Sequence, residues 1–297
     1  MKTSVIAIGN FDGVHRGHQT VLRQARALAD EGAHACLVLT FDPHPREVLG
    51  GGTRPPLMRL ARRIELLREA GADEVVVEPF TVELAAWSPE RFARELLAGR
   101  LGARAVVVGS DFRFGRRREG DLVMLGELGR GLGFAAVAAQ IAGDERGPFS
   151  STRARSAIEQ GDLEEATRVL GRPHAISGRV EEGDRLGRTL GFPTANLGGV
   201  VEQLPPYGVY AVRVGGADER GDRGGVMNIG MRPTVDGSRL RIEAHVFDFD
   251  GDLYGRDLRV DLVARLRGEQ RFESLEALKA QIAADAAAAR AILARGL

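Results

Sequence analysis

The order of residues predicts an α/β half built on a parallel sheet, followed by a small antiparallel β-barrel that ends in a helix. Three features carry this. Residues 4–138 alternate short apolar runs with helix-period segments, the pattern of strands joined by crossover helices. From about Gly171 the rhythm changes to Gly- and Pro-rich sequence with closely spaced alternating runs. The chain then closes on an Ala-rich, helix-forming stretch. A length of 297 residues suits about two domains at roughly 150 residues each, and the expected boundary separates residues 1–170 from 171–297.

The elements follow in order. Ser4–Ile8, Ala35–Thr40, Glu74–Glu78, Arg104–Val108 and Phe134–Ala138 read as buried strands. Gly17–Glu31 is a helix with Val21, Leu22, Ala25, Leu28 and Ala29 on one face and Gly32 as its stop. Ser88-Pro89-Glu90 opens another, with a capping serine and proline at the first helical position. Helical stretches at Arg153–Gln160 and Leu163–Leu170 precede the boundary. Beyond it, Gly208–Val214, Gly225–Ile229, Leu240–Phe247 and Asp257–Leu266 are strand-like. In Leu240–Phe247, Leu240, Ile242, Ala244 and Val246 point one way and Arg241, Glu243, His245 and Phe247 the other. Asp248, Asp250 and Asp252 around Gly251 fail the spacing of a twelve-residue Ca²⁺ loop and read as a hairpin turn. The final helix spans about Ser274–Arg295, capped by Ser274.

Composition excludes several function classes. Lys+Arg and Asp+Glu both total 41, so net charge gives no sign of a polyanion-binding surface and no nucleic-acid partner is expected. The single Cys36 rules out an intrachain disulfide and a Cys-rich metal site. No run of 18 apolar residues exists and the start of the chain lacks a signal-peptide pattern, so the expectation is a cytoplasmic protein without a membrane span. Lysine occurs only at Lys2 and Lys279, neither in a P-loop context, so any nucleotide is handled without a Walker lysine.

The first chemically informative segment runs Gly9-Asn10-Phe11-Asp12-Gly13-Val14-His15-Arg16-Gly17-His18, from the end of the first strand into the first helix. Ligands of parallel sheets bind at such strand ends, and helix N-termini attract phosphate. His15 and His18, three apart, can both face one anion and stabilise charge developing on it. A metal site there would lack a third ligand nearby.

His15-Arg16-Gly17-His18 resembles the signature turn of the nucleotidylyltransferase superfamily. Phe149-Ser150-Ser151-Thr152-Arg153-Ala154-Arg155 resembles its Ser/Thr–Arg motif, which implies an ATP-phosphate contact for Arg155. Taken alone, Ser151 and Thr152 would be helix caps. Thr40-Phe41-Asp42-Pro43-His44-Pro45-Arg46-Glu47-Val48-Leu49 and Val108-Gly109-Ser110-Asp111-Phe112-Arg113-Phe114-Gly115 are similar to loops of the prokaryotic bifunctional riboflavin kinase/FAD synthetase family. The resemblance implies a Rossmann-like nucleotidylyltransferase domain. It also implies ATP binding by Gly9, Asn10, Phe11, Asp12, Gly13, Ser151 and Thr152, and flavin binding by Asp42, His44, Asp111 and Phe112. His44 between two prolines serves equally as a rigid-turn residue.

The second half carries Gly183-Asp184-Arg185-Leu186-Gly187-Arg188-Thr189-Leu190-Gly191-Phe192-Pro193-Thr194-Ala195-Asn196. Gly183 opens a loop suited to phosphates, Arg188 offers a positive charge, and Thr194 and Asn196 offer neutral oxygens suited to Mg²⁺. Read by itself, Gly-Phe-Pro-Thr is equally an ordinary barrel corner. Pro193–Asn196 matches the Pro-Thr-Ala-Asn motif of riboflavin kinases, which implies Mg–ATP binding there and a catalytic carboxylate at Glu243.

The resemblance extends from Ser4 to Ile292 and implies two reactions. Riboflavin is phosphorylated to FMN in the barrel half. FMN is then adenylylated to FAD in the first half, with His15, His18 and Arg155 as charge-stabilising groups. The expected partners are ATP, riboflavin, FMN and FAD, with Mg²⁺ as cofactor and room left for a weak homo-oligomer. The rivals are a nucleotidylyltransferase with another acceptor, a flavin carrier without turnover, and a chain with one active half.

Overall fold

The computed structural model describes residues 3–183, 191–219, 221–234 and 237–295. The chain divides into two compact units, one of Met1–Arg54 with Leu60–Ser151, the other of Pro55–Arg59 with Thr152–Leu297. The helical stretches expected before residue 171 therefore pack with the second unit, where Leu163 joins the barrel's apolar core.

In the first unit, β1 (Ser4–Ile8), β2 (Ala35–Asp42), β3 (Glu74–Pro79), β4 (Ala103–Val108) and β5 (Ala135–Ala138) form a parallel sheet in the order β3-β2-β1-β4-β5. Every residue of β1 is buried, as the central strand of a doubly covered sheet requires. Helix α1 (Arg16–Glu31) covers one face through Leu22, Ala25 and Ala29. A short turn, α2 (Pro45–Val48), precedes α3 (Leu60–Glu69), and α4 (Val82–Ala85) leads into α5 (Pro89–Arg91). The predicted cap is present, since Ser88 Oγ accepts the Arg91 N–H at 3.2 Å. Phe92–Arg100 continues with five-residue spacing, visible where Leu101 N–H reaches Leu96 O at 3.0 Å. With α6 (Leu122–Leu132) it packs Phe92, Leu96, Leu97 and Leu125 against Ile6, Leu39 and Val106. A small hairpin, β6 (Gly143–Asp144) and β7 (Gly147–Pro148), follows. Cys36 is fully buried and its thiol is pushed up to about 11 by desolvation, so it is no nucleophile at neutral pH.

From Thr152 on, the second unit takes in α7 (Ser151–Gln160) after its first residue, and then α8 (Leu163–Leu170). A closed antiparallel barrel follows, made of β8 (His174–Glu181), β9 (Ala195–Gly198), β10 (Gly208–Gly215), β11 (Arg223–Thr234), β12 (Gly237–Val246) and β13 (Asp257–Arg267). The strand order is β10-β11-β12-β9-β8-β13, closed by β13 on β10. Ile176, Val212, Met227, Ile242, Ala244, Val246, Val260 and Leu262 fill the interior. Of the barrel strands, β8 and β9 escape the sequence reading. In β8 the inward positions are His174, Ile176, Gly178 and Val180, an alternation diluted by a histidine and a glycine. β9 is only four residues long.

The aspartate-rich segment after β12 is not a hairpin turn. β12 pairs with β11 and β9, whereas β13 pairs with β10 and β8, so residues 247–256 cross over between strands that do not touch. Asp and Gly report turn chemistry, which is silent on which strands pair. Asp248 instead takes a bidentate pair from Arg290 at 2.8 and 2.9 Å on α9 (Leu275–Ala294). That helix, capped by Ser274, packs Ala289 and Leu293 on Ala211 and Phe247, and Arg267 clamps its buried Asp285 at 2.8 Å. No helix among the described residues is long and apolar enough to cross a membrane.

His174 gives this unit a pH-dependent stability. Its buried ring bonds the Gln203 carbonyl at 2.7 Å, and desolvation pushes its pKa down to about 4. Above about 6.5 the ring is neutral in both folded and unfolded chains. Between about 6.5 and about 4 the unfolded chain binds a proton that the native barrel does not, so stability falls as pH falls, by up to ~3 kcal/mol. Thermal melts at pH 7 and 4.5 should show a loss that His174→Gln reduces; an equal loss in that variant contradicts the assignment.

Candidate active site

The chain leaves β1 through Gly9–Val14 and enters α1 with His15 as its cap. The turn is sharp: Phe11 and Val14 take positive φ of 52° and 37°, and Val14 N–H closes on Phe11 O at 3.0 Å. Phe11 and Val14 are buried, which holds this strained backbone in place. His15 Nδ1 accepts the His18 N–H at 3.3 Å, leaving Nε2–H as the donor of the neutral ring. The His15 and His18 rings stack at 3.5 Å, and Phe11 meets His18 edge-on at 5.1 Å. The sequence pair therefore forms one unit.

Gly17 has a separate reason to be glycine. A Cβ there would lie 2.6 Å from Phe149 O and 3.0 Å from the His15 ring. Gly17→Ala must shift either the Phe149 backbone or His15. The expected result is at least a tenfold loss of any chemistry at the histidine turn, with chemistry at the barrel unchanged. Unchanged rates at both would contradict this.

Side chains from other elements pin the turn. Thr40 Oγ1 and Arg63 Nη1 both donate to Asn10 O, at 3.1 and 3.0 Å, and Ser151 Oγ donates to Asp12 O at 2.8 Å. Arg63, on α3, is buried, and desolvation lowers its pKa against the opposing charges of Asp42 and Asp12. Its second amine donates to Phe41 O and to Asp42 Oδ1, both at 3.3 Å. Nothing in the sequence singles it out, because the segment carries Arg62, Arg63 and Arg68 alike. Asp42 stays half-exposed at the end of β2. His44 caps α2, accepting the Arg46 N–H at 3.0 Å, which is the rigid-turn role. After β4, Asp111 is exposed, while Phe112 stacks on Phe114 at 5.5 Å and packs on the core.

Thr152 and Arg155 belong to the second unit. There the Arg155 guanidinium donates to Pro55 O and, at 3.3 Å, to Gln203 Oε1. The Pro55–Arg59 segment docks beside it, with Gln203 N–H on Pro56 O at 2.8 Å and Arg59 donating to Ser177 O at 2.9 Å.

The barrel carries a second constellation on its outer face. Register places Glu243 of β12 directly opposite Asn196 of β9 on one side and Asn228 of β11 on the other. Thr194 Oγ1 donates to Glu243 Oε1 at 3.3 Å. Arg241 lies between, donating to Asn196 Oδ1 at 3.2 Å and pairing with Glu243 Oε1 at 3.1 Å. His245 Nδ1 meets Pro193 O at 2.8 Å, anchoring the Pro-Thr-Ala-Asn segment to β12. Gly183 lies so close to Asn196 that a Cβ would overlap its amide. Arg188 lies outside the described residues. Arg241 was missed as a site residue, although the strand alternation already put it on the face of Glu243.

A family model of FAD synthetase matches residues 1–153, and one of riboflavin kinase matches residues 170–293. The bifunctional riboflavin kinase/FMN adenylyltransferase of Escherichia coli K12 is 44% identical over 290 residues, 96% of this chain and 91% of the relative. The chain belongs to the bifunctional riboflavin kinase/FMN adenylyltransferase family. Relatives of the same description in Pseudomonas fluorescens and Bacillus subtilis are 45% and 37% identical, over 98% and 95% of this chain and 93% and 90% of theirs. A crystal structure described as a macrolide-efflux protein from Streptococcus pneumoniae superposes with a TM-score of 0.87 at 30% identity, covering 98% of this chain and 95% of that one. In family terms the histidine turn lies in the FAD synthetase half and the Thr194–Asn196–Glu243 network in the riboflavin kinase half.

Proposed function

We propose that the two constellations are the catalytic sites of the two flavin-forming reactions, one per half. The chain is a bifunctional enzyme that phosphorylates riboflavin to FMN with ATP, then adenylylates FMN to FAD with release of pyrophosphate. The observation that carries the site assignment is that each family half holds its own compact polar network.

In the kinase reaction the riboflavin 5′-hydroxyl oxygen attacks the γ-phosphorus of ATP and ADP departs. Glu243 accepts the hydroxyl proton or orients it, and Arg241 keeps the carboxylate in place. Thr194 and Asn196 supply uncharged hard oxygens beside a carboxylate, a donor set that fits Mg²⁺ carried with the nucleotide. When bound, Mg²⁺ neutralises charge on the transferring phosphoryl group. Gly183 and Arg188 are assigned to the ATP phosphates.

In the second reaction an FMN phosphate oxygen attacks the α-phosphorus of ATP, and pyrophosphate departs. His15 and His18 stabilise charge on the α-phosphate. Gly9, Asn10, Phe11, Asp12, Gly13 and Ser151 line the ATP site, and Asp42, His44, Asp111 and Phe112 contact the flavin. Use of ATP in both steps supports a cytoplasmic enzyme.

Purified protein with riboflavin, ATP and Mg²⁺, followed by chromatography of the flavins, tests the reading. FMN appearing first and FAD after it is expected. FMN alone would remove the histidine turn from catalysis, and riboflavin retained without product would indicate a carrier.

A further inference from the structure

The loop after β4 holds four arginines in six positions, Arg113, Arg116, Arg117 and Arg118. Two are neutralised: Arg113 pairs with Asp121 at 3.4 Å and Arg116 with Glu119 at 3.3 Å. Arg117 and Arg118 are exposed and have no carboxylate partner among the described residues. Both also sit in left-handed backbone, with φ of 53° and 60°. A non-glycine residue there is strained, and two in succession persist only where the surroundings impose them.

The surroundings do. Phe114 and Gly120 exchange backbone hydrogen bonds of 3.0 and 2.9 Å across the loop's base. Arg116 N–H donates to Trp87 O at 2.7 Å and Arg118 N–H to Gly115 O at 3.0 Å. Gly115 is wedged so that a Cβ would lie 2.7 Å from the Pro89 ring. Phe112 and Phe114 anchor the loop in the core. A plain surface turn would use Gly or Asn at left-handed positions. Here the strained backbone carries two long cations instead.

Position supplies the ligand chemistry. β4 runs parallel beside β1, with Ala7 opposite Val107, so this loop and the histidine turn leave neighbouring strand ends. They flank the point where the order β3-β2-β1-β4-β5 reverses direction, the crevice where such sheets bind ligands. FMN, ATP and pyrophosphate are all phosphate anions, which arginine recognises through paired N–H donors.

We propose that Arg117 and Arg118 form a second phosphate-recognition element of the adenylyltransferase half, gripping a phosphate of one substrate opposite the histidine turn. This rests on the assignment of FAD formation to that half. The shared chemistry is a phosphate anion, and separate titrations of the two substrates identify its source. The test uses full-length protein with Arg117→Ala, Arg118→Ala, the double variant and the double Lys variant. KM for FMN and for ATP in FAD formation, and the riboflavin kinase rate, are measured for each.

The double Ala variant is expected to raise one KM about tenfold or more with a smaller change in kcat, the Lys variant to recover part of it, and the kinase rate to stay put. A rise for FMN identifies the flavin phosphate; a rise for ATP identifies the triphosphate. Both KM values unchanged, or a fall confined to kcat, overturns the proposal. Wild-type protein that makes FMN but never FAD would instead overturn the assignment beneath it.

Discussion

Replacing His18 with alanine is expected to lower FAD formation from FMN by about 10²–10³-fold, the cost of removing one preorganised donor from a developing oxyanion. Riboflavin phosphorylation should not change, because Thr194, Asn196, Arg241 and Glu243, the network proposed for the kinase step, are bonded to one another in the barrel. The loss has two parts. The imidazole itself goes, and so does the ring stacked 3.5 Å from His15, while the Nδ1 bond of His15 to the residue-18 amide is retained. Global stability should barely move, since His18 lies in the first turn of a helix anchored by Leu22, Ala25 and Ala29. Initial rates of FAD and FMN formation, with a thermal melt on the same sample, check all three statements. An unchanged FAD rate removes His18 from the chemistry.

Glu243→Ala should produce the complementary defect. Riboflavin phosphorylation falls by about 10²–10⁴-fold, the range for a positioned general base, while FAD formation from supplied FMN continues. The alanine also strips Arg241 of its 3.1 Å partner and Thr194 of its acceptor, so part of the effect would come from a disordered network. Glu243→Gln separates the two. The amide retains the shape and can still accept from Thr194, but it is not a base. If the glutamine variant keeps most of the wild-type rate, Glu243 orients the hydroxyl without taking its proton.

Much of this arrangement was legible from residue order where local rules and burial agree. β1 was read with its observed bounds because a fully buried central strand is apolar throughout. The first helix differed only by starting at Arg16, with the histidine rather than a conventional polar residue as cap. Glu243 fell on the outward face of β12 by simple alternation, and register then placed it opposite Asn196. What escaped was long-range. β8 is masked because His174 and Gly178 occupy inward positions, and the crossover after β12 reads as a hairpin because turn residues do not encode pairing. Arg63 and Arg241 went unnoticed for a compositional reason: all but two of the 41 basic residues are arginine, so no single one stands out. Only the fold distinguishes the buried arginine that holds Asn10, Phe41 and Asp42 from a solvated one.

The central claim is that two separate sites in one chain perform the two steps. The most direct measurement gives His18→Ala and Glu243→Ala each ATP and Mg²⁺ with riboflavin, and in a second reaction with FMN. The account predicts that His18→Ala converts riboflavin to FMN and stops, and that Glu243→Ala leaves riboflavin untouched but converts FMN to FAD. Loss of both conversions in either variant, with its melting transition intact, would contradict it.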